Sequence, residues 1–142
     1  MRDIALRYFD EYTPLNRTGM KCDPLDVEDF MVDVLAAPKG IAFAVYEGDV
    51  AYGGILGVIR PWEFNTQIQV LKELGWFVLP EYKDRHPFAA ALLYRTLLKW
   101  AKSEGATAAA FATTDRDNAG ETARLYEAHG LVKMDTHYMG VI

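Results

Sequence analysis

Hydrophobic and polar positions follow two different periods along the chain. Between Asp3 and Tyr12, apolar residues recur among charges at helical spacing, which predicts a short amphipathic helix. A second helix is predicted to begin after Asp23, a good N-cap residue followed by Pro24, and to stop before Pro38. Its apolar face is expected to consist mainly of Leu25, Phe30, Val34 and Leu35.

The pattern changes to strands at residue 41. Apolar runs at 41–46 and 50–59 flank the turn-forming residues 47–49, which predicts a hairpin. The second arm contains Gly53, Gly54 and Gly57, which indicate a bulge or the close approach of another group. Residues 60–67 are predicted to form a loop, and residues 69–79 a third strand.

The remaining part of the chain alternates helices with strands. A long helix is predicted from about Ala89 to Gly105. Residues 107–114 are small and apolar, as in a strand that is buried on both faces. A helix at 121–129, closed by Gly130, and a final strand at 131–142 complete a mixed α/β order. His129 is expected to cap this helix rather than to act in catalysis.

Composition narrows the class of protein. With 142 residues, of which 51% are hydrophobic and 25% charged, the chain is expected to form a single domain over residues 1–142. The net charge of −5 argues against a nucleic-acid partner. Apolar runs are too short to span a bilayer and no signal segment is evident, so we expect a cytoplasmic protein without membrane contact. The single cysteine and the scattered histidines predict no metal site.

The second predicted helix is acidic. Residues 23–33 contain five acids and no base. They could attract a cationic substrate or form a solvated helix face, and the second interpretation is favoured.

One strand–turn–helix unit has the chemistry of a ligand site. The strand at 73–78 leads into the turn at 80–87, and a helix follows at once. Free N–H groups at a helix start, next to Lys83 and Arg85, favour phosphate binding. An ordinary connection carrying solubilising charges explains these residues equally well.

Several segments resemble the acetyl-CoA-binding core of GNAT-type N-acetyltransferases. These are V-L-P-E-Y-K at 78–83, A-A-A-L-L at 89–93 and W-A-K-S-E-G-A at 100–106. The segment from Asn118 through T-A-R-L-Y-E-A-H-G-L is similar to the N…A…L-Y-E-x-x-G-F segment of the superfamily. Residues 44–54 resemble its first hairpin, and the order and spacing of the segments match.

The resemblance implies a GNAT-like mixed, mostly antiparallel sheet with helices on both faces. The strand ending at Val78 is expected to splay from the strand that starts near Thr107. The implied activity is acetyl transfer from acetyl-CoA, without a metal, to a primary amine of a small molecule or a protein. Glu73 is the expected base, or else a cross-strand ion-pair partner or an exposed strand residue. Tyr126 is the expected proton donor to the thiolate, or else a core tyrosine.

The resemblance also implies which residues bind coenzyme A. They are Phe77, Val78, Lys83, Arg85, His86, Phe88, Ala89 and Asn118. The backbone N–H of Val78 would contact the oxyanion. Asn118 would bond the pantetheine arm or merely cap a helix.

The phosphate-binding turn departs from the family pattern. Residues 83–89 contain no glycine, they include Asp84, and Pro87 supplies no N–H. A second interpretation is therefore kept: a catalytically inactive GNAT-fold protein that acts as a binding or structural component of a larger assembly. Either interpretation is compatible with a homodimer or a larger complex.

Overall fold

The computed structural model describes residues 2–12, 21–113 and 119–134, and it confirms the mixed α/β fold. The elements, in chain order, are α1 (Arg2–Tyr12), α2 (Pro24–Ala36), β1 (Gly40–Glu47), β2 (Val50–Trp62), β3 (Asn65–Val78), α3 (Pro80–Lys83), α4 (Ala89–Ser103), β4 (Ala108–Ala110) and α5 (Ala119–Ala128). The sheet order is β1-β2-β3-β4, with antiparallel pairing throughout except for the parallel pair β3–β4.

Helix α2 begins as the sequence predicts. The Asp23 carboxylate accepts hydrogen bonds from the N–H groups of Leu25 and Asp26, at 2.8 and 3.4 Å, and thereby caps the helix. The predicted apolar face is wrong at three of its four positions. Only Val34 is buried, whereas Leu25, Phe30 and Leu35 are exposed, so α2 presents apolar side chains to solvent.

Strands β2 and β3 form one long hairpin, and the loop predicted at 60–67 is wrong. The turn contains only Glu63 and Phe64, and the strands stay paired as far as Trp62 and Asn65. Pro61 fits a strand here because β1 pairs with β2 only as far as Val58. The N–H of Ile59 still donates to Lys39 O, at 2.9 Å. Beyond Ile59 this edge of β2 is unpaired among the described residues, so the missing N–H of Pro61 costs no ladder bond.

The glycines of β2 permit close packing, as predicted. A Cβ atom at Gly57 would lie 3.0 Å from a methyl group of Leu97 in α4 and 3.1 Å from one of Leu71. A Cβ atom at Gly53 would lie 2.9 Å from the carbonyl oxygen of Phe77. The missing side chain at Gly57 lets α4 approach the sheet, and the missing side chain at Gly53 leaves room for the paired strand β3.

Helices cover both faces of the sheet. On one face, α4 contributes Leu93 and Leu97 to a core that includes Ile55, Leu71 and Val78. On the other face, α1 packs its buried residues, Ala5 and Tyr8, against Phe77 and Leu79. The longest helix of the described ranges, α4, has 15 residues, and none of the helices there is long and apolar enough to cross a membrane.

The C-terminal part differs from the prediction. The strand expected at 107–114 is reduced to β4, in which Ala108 and Ala110 are exposed, so burial on both faces is wrong for these positions. Leu131 to Met134 are not a strand, and residues 114–118 and 135–142 lie outside the described residues. Helix α5 ends as predicted, before Gly130 with a φ of 80°.

Candidate active site

Strands β3 and β4 diverge after three residue pairs. Pairing runs from Val70↔Ala108 to Lys72↔Ala110 and then stops, whereas β3 continues, paired only with β2, to Val78. One edge of β3 is therefore open from Glu73 onward on the side from which β4 has separated. The divergence expected between these two strands is present, and it begins at Glu73.

A bulge in β3 decides which side chains face this opening. Leu56 pairs with Gly75 and Gly57 pairs with Glu73, so Leu74 is an extra residue that interrupts the alternation. Because of that extra residue, Glu73 lies on the same face as Val78, the face covered by α4. With regular alternation the two residues would point to opposite faces.

Glu73 sits at the closed end of the divergence. Its Oε2 accepts a hydrogen bond of 3.3 Å from the backbone N–H of Ala112, two residues beyond β4. Burial of the carboxyl group raises the pKa of Glu73 to about 7, against the smaller lowering effect of the Ala112 hydrogen bond. A carboxyl group with this pKa exchanges protons readily near neutral pH.

Tyr126 of α5 also contacts Ala112. Its hydroxyl donates a 2.8 Å hydrogen bond to the carbonyl oxygen of Ala112. Burial, with smaller contributions from Glu73 and Tyr94, raises the pKa of the Tyr126 phenol far above its usual range, so the hydroxyl is protonated at neutral pH. The two residues expected to be catalytic thus bind the N–H and C=O of a single peptide residue, Ala112.

Aromatic rings of β3, α4, α5 and the segment after β4 contact one another beside the divergence. Tyr94 of α4 contacts Trp76 of β3 and Phe111 beyond β4, with ring centroids 5.6 and 5.0 Å apart. Tyr126 contacts the same two rings, at 6.1 and 5.3 Å. We call Trp76, Tyr94, Phe111 and Tyr126 the aromatic wedge. The sequence prediction missed its first three members, and their aromatic character in a sheet and a facing helix was the available signal.

The backbone of β3 offers a donor to the opening. The N–H of Leu79 donates to the carbonyl oxygen of Tyr52 on β2, at 2.9 Å. Because N–H groups alternate between the two edges of a strand, the N–H of Val78 is directed away from β2, toward the open edge. The Phe77 side chain lies on the other face, where it packs against Tyr8 with ring centroids 4.9 Å apart.

The turn after β3 holds Lys83, Arg85 and His86, which were predicted to bind coenzyme A, and Glu47 already pairs with two of them. Arg85 Nη1 donates to Glu47 Oε2 at 2.9 Å, and His86 Nε2 lies 3.0 Å from Glu47 Oε1. Glu47 is the last residue of β1, on the neighbouring hairpin turn. Lys83 is exposed, and within the described ranges it forms no ion pair.

Some amide donors of the turn are also engaged. The N–H of His86 donates to Tyr82 O and the N–H of Ala89 donates to His86 O, at 2.9 and 3.0 Å. The N–H groups of Phe88 and Ala90 have no acceptor among the described residues. The Phe88 side chain is 80% exposed. Asn118, the remaining predicted ligand of coenzyme A, lies outside the described residues.

His129 closes α5 as the sequence suggests. Its Nδ1 lies 2.9 Å from the carbonyl oxygen of Leu125, one of the last carbonyl groups of the helix. The ring also contacts Tyr94, with centroids 5.1 Å apart. These contacts agree with a capping role rather than a catalytic one.

A sheet opened between two strands, with a carboxyl group and a phenol at its closed end, is an arrangement suited to acyl transfer. The comparison with protein families agrees with this class. Residues 3–131 match the sequence model of the acetyltransferase (GNAT) family, and the chain belongs to that family. No curated protein sequence gives a significant match.

Solved structures with similar folds are distant in sequence. An aminoglycoside acetyltransferase from an uncultured soil metagenomic sample superposes with a TM-score of 0.68 at 17% identity, covering 100% of this chain and 90% of the other. AAC(6')-Iy, in complex with the bisubstrate analogue CoA-S-monomethyl-acetylneamine, gives 0.62 at 19% identity, with 99% and 89% covered. A transcriptional regulator from Bacillus halodurans C-125 gives 0.70 at 12% identity, with 96% and 91% covered. At these identities the likeness shows the fold alone.

Proposed function

We propose that this protein transfers an acetyl group from acetyl-CoA to a primary amine. The observation that supports this most is the pairing of Glu73 and Tyr126 across the two backbone groups of Ala112, where β3 and β4 separate. A proton acceptor and a proton donor are the two groups that this reaction requires.

Glu73 is proposed as the base. An ammonium group must lose a proton before its nitrogen attacks a carbonyl carbon, and a carboxylate with a pKa of about 7 accepts that proton at neutral pH. The partner strand carries Gly57 opposite Glu73, and this glycine presents no side chain. Transfer to the carboxylate can be direct or pass through one water molecule.

The open edge of β3 is proposed to hold the thioester and the pantetheine arm. Acetyl-CoA supplies the activated carbonyl, whose carbon–sulfur bond breaks as the new amide bond forms. The N–H of Val78, directed away from β2, would donate to the carbonyl oxygen as negative charge develops on it. The free strand edge fits amide groups, which can add to it as a further strand would.

Tyr126 is proposed to stabilise the departing thiolate. Its phenol is protonated at neutral pH, so it can donate to sulfur once the bond to the Ala112 carbonyl is given up. Because its raised pKa makes this phenol a weak acid, the hydrogen bond to sulfur contributes more than complete proton transfer.

The turn at 83–89 is proposed to bind the diphosphate through side-chain charge. Lys83 and Arg85 are exposed and His86 is partly buried, and the N–H groups of Phe88 and Ala90 are open to a ligand. Charge-assisted bonds from Lys83 and Arg85 compensate for the missing glycines and for the N–H that Pro87 lacks.

The acceptor is proposed to be an amine of a small molecule. AAC(6')-Iy binds an analogue that joins coenzyme A to acetylneamine, and this chain has a fold similar to that enzyme's. A protein amino group stays an alternative acceptor. A cytoplasmic location and assembly into a homodimer or a larger complex are also predictions from the sequence.

The first experiment is calorimetry with acetyl-CoA, followed by measurement of thiol release with a panel of amines. Binding is expected at low salt, and the affinity should decrease as salt rises. Exchange of both Lys83 and Arg85 for alanine should weaken binding by at least about tenfold. Failure of the wild-type protein to bind acetyl-CoA at low salt would refute the enzyme proposal.

Glu73→Gln tests the base directly. Activity of the wild-type protein is expected to rise with pH through about 7, as the carboxyl group of Glu73 loses its proton. The glutamine variant should lose this pH limb and most of its rate while it still binds acetyl-CoA. Glu63→Gln, on the turn of the same hairpin, is the matched control and should keep wild-type activity.

A non-catalytic binding component is the second candidate. Two observations favour it: Glu47 engages Arg85 and His86, and α2 exposes Leu25 and Phe30 to solvent. In that case acetyl-CoA binding would be absent, and the exposed face of α2 would be the first surface on which to seek a partner.

A further inference from the structure

The carboxylate of Glu47 already binds Arg85 and His86 of the turn proposed to hold the diphosphate. Its two oxygens lie 2.9 and 3.0 Å from nitrogen atoms of Arg85 and His86, 38 and 39 positions away in sequence. Glu47 immediately precedes Gly48, whose φ of 59° turns the chain back into β2. The side chain is partly exposed, so it can rotate into solvent without leaving a cavity.

Arg85 and His86 each have another contact that fixes the position of the side chain. The His86 ring stacks on Tyr52 at 4.6 Å, with 17° between the ring planes. The Arg85 guanidinium lies 4.8 Å from the centre of the Tyr82 ring, and Tyr82 in turn stacks on Tyr52 with ring centroids 4.9 Å apart. Because aromatic rings hold the side chains of Arg85 and His86, Glu47 is not required to keep them in position.

We propose that Glu47 and the diphosphate of coenzyme A bind Arg85 and His86 in alternation, so that Glu47 sets the affinity for the coenzyme. This inference rests on the proposed function. Two carboxylate oxygens and two phosphate oxygens make equivalent demands on these donors, and two anions held together would repel each other. Binding of the diphosphate therefore includes release of Glu47.

Lys83 gives the incoming diphosphate a first contact. It precedes Arg85 by two residues, is exposed, and forms no ion pair within 2–12, 21–113 or 119–134. The diphosphate can thus approach Lys83 before Glu47 releases Arg85 and His86. This order predicts a coenzyme site whose affinity is lower than it would be if Arg85 and His86 were free of Glu47.

The test is calorimetry with coenzyme A at low salt on the full chain carrying Glu47→Gln. Removing a competing anion of this kind should tighten binding by about three- to tenfold. Asp49→Asn is the matched control, because it removes the same charge from the same turn but from a residue that is not paired with Arg85 or His86. The control should change the affinity by less than about twofold.

A double-mutant cycle separates exchange from general charge repulsion. On Arg85→Ala, the further change Glu47→Gln should give much less of its gain, since the contested guanidinium is absent. Equal gains in both backgrounds would show that Glu47 acts only through its field, and would overturn the exchange.

The outcomes distinguish this inference from the proposed function. If the wild type binds coenzyme A but Glu47→Gln binds equally or more weakly, the exchange is wrong and the proposed function stands. If both proteins bind coenzyme A and Glu47→Gln binds it about three- to tenfold more tightly, the exchange is supported. If neither binds, both the exchange and the proposed function fail.

Discussion

Ala112 joins the two proposed catalytic residues through its backbone, although its side chain is only a methyl group. Its N–H holds Glu73 and its C=O holds Tyr126. Both bonds depend on the position of the chain just past β4, where pairing with β3 has ended. A backbone group thus sets the separation of two titratable side chains.

The raised pKa of Glu73 has a consequence for stability. The folded protein binds this proton up to about pH 7, whereas the unfolded chain releases it near the ordinary glutamate value of 4.5. The unfolded state therefore binds fewer protons between these values, and stability falls as pH rises through that window. Below it the carboxyl group is neutral in both states and costs nothing.

Glu73→Gln should accordingly stabilise the protein above pH 7 and leave it nearly unchanged at pH 4. The expected gain above pH 7 is about 2 kcal/mol, since one pKa unit corresponds to about 1.4 kcal/mol and partial exposure reduces the full effect. Urea denaturation at the two pH values measures it. An equal gain at both values would contradict the titration of Glu73.

Tyr126→Phe separates catalysis from packing. If the hydroxyl assists the departing thiolate, kcat should fall on the order of 10²-fold while acetyl-CoA affinity stays nearly intact. Steady-state kinetics and calorimetry give the two numbers. Loss of the bond to the Ala112 carbonyl alone would lower stability by about 1 kcal/mol without that effect on kcat.

At the scale of elements, the junction of α2 and β1 is the most constrained backbone position. A Cβ atom on Gly40 would lie 1.6 Å from the carbonyl oxygen of Val34, a backbone atom that cannot give way. Gly120, in the first turn of α5, offers the opposite case, because a Cβ atom added there would have no atom of the described residues within 4 Å.

Gly40→Ala should therefore destabilise the protein by more than about 3 kcal/mol, or prevent folding, because α2 must move away from the sheet. Gly120→Ala is the matched control. It should be neutral or stabilising by up to about 1 kcal/mol, as alanine is the better helix former. Thermal unfolding of the two variants measures both effects, and a mild effect at Gly40 would contradict the packing at this junction.

Features with local causes were predictable from sequence, and those with distant causes were not. The Asp23 cap and the Gly130 stop of α5 depend on a few adjacent residues, and they agree with the prediction. A loop was predicted at 60–67, but Pro61 is tolerated in β2 because β1 no longer pairs with β2 at that residue. Local signals cannot reveal where a neighbouring strand stops.

The candidate site divides in the same way. Glu73 and Tyr126 were identified from the resemblance, but their meeting at Ala112 depends on the Leu74 bulge and on the divergence of β4. The engagement of Arg85 by Glu47 joins residues 38 positions apart, which a pattern of local charges does not indicate. Partners of this kind follow only from the register of the sheet.

At the scale of the whole molecule, two separate cores hold the sheet from opposite faces. The core under α4 extends from Ala101 through Leu97 and Leu93 to Val78, and the smaller one joins α1 to Phe77 and Leu79. Adjacent residues of one strand, Phe77 and Val78, thus belong to different cores. The end of β3 that borders the opening is fixed from both sides, which suits a backbone donor that must not move.

The brevity of the β3–β4 pairing also gives the sheet an uneven resistance to deuterium exchange. Strands β2 and β3 are paired over most of their length, so their amides should exchange only when the domain unfolds. Strand β4 pairs at three residues, two of them exposed alanines, and should exchange by local opening, at a rate barely sensitive to low urea. Strand β4 can then detach while the rest of the sheet stays folded.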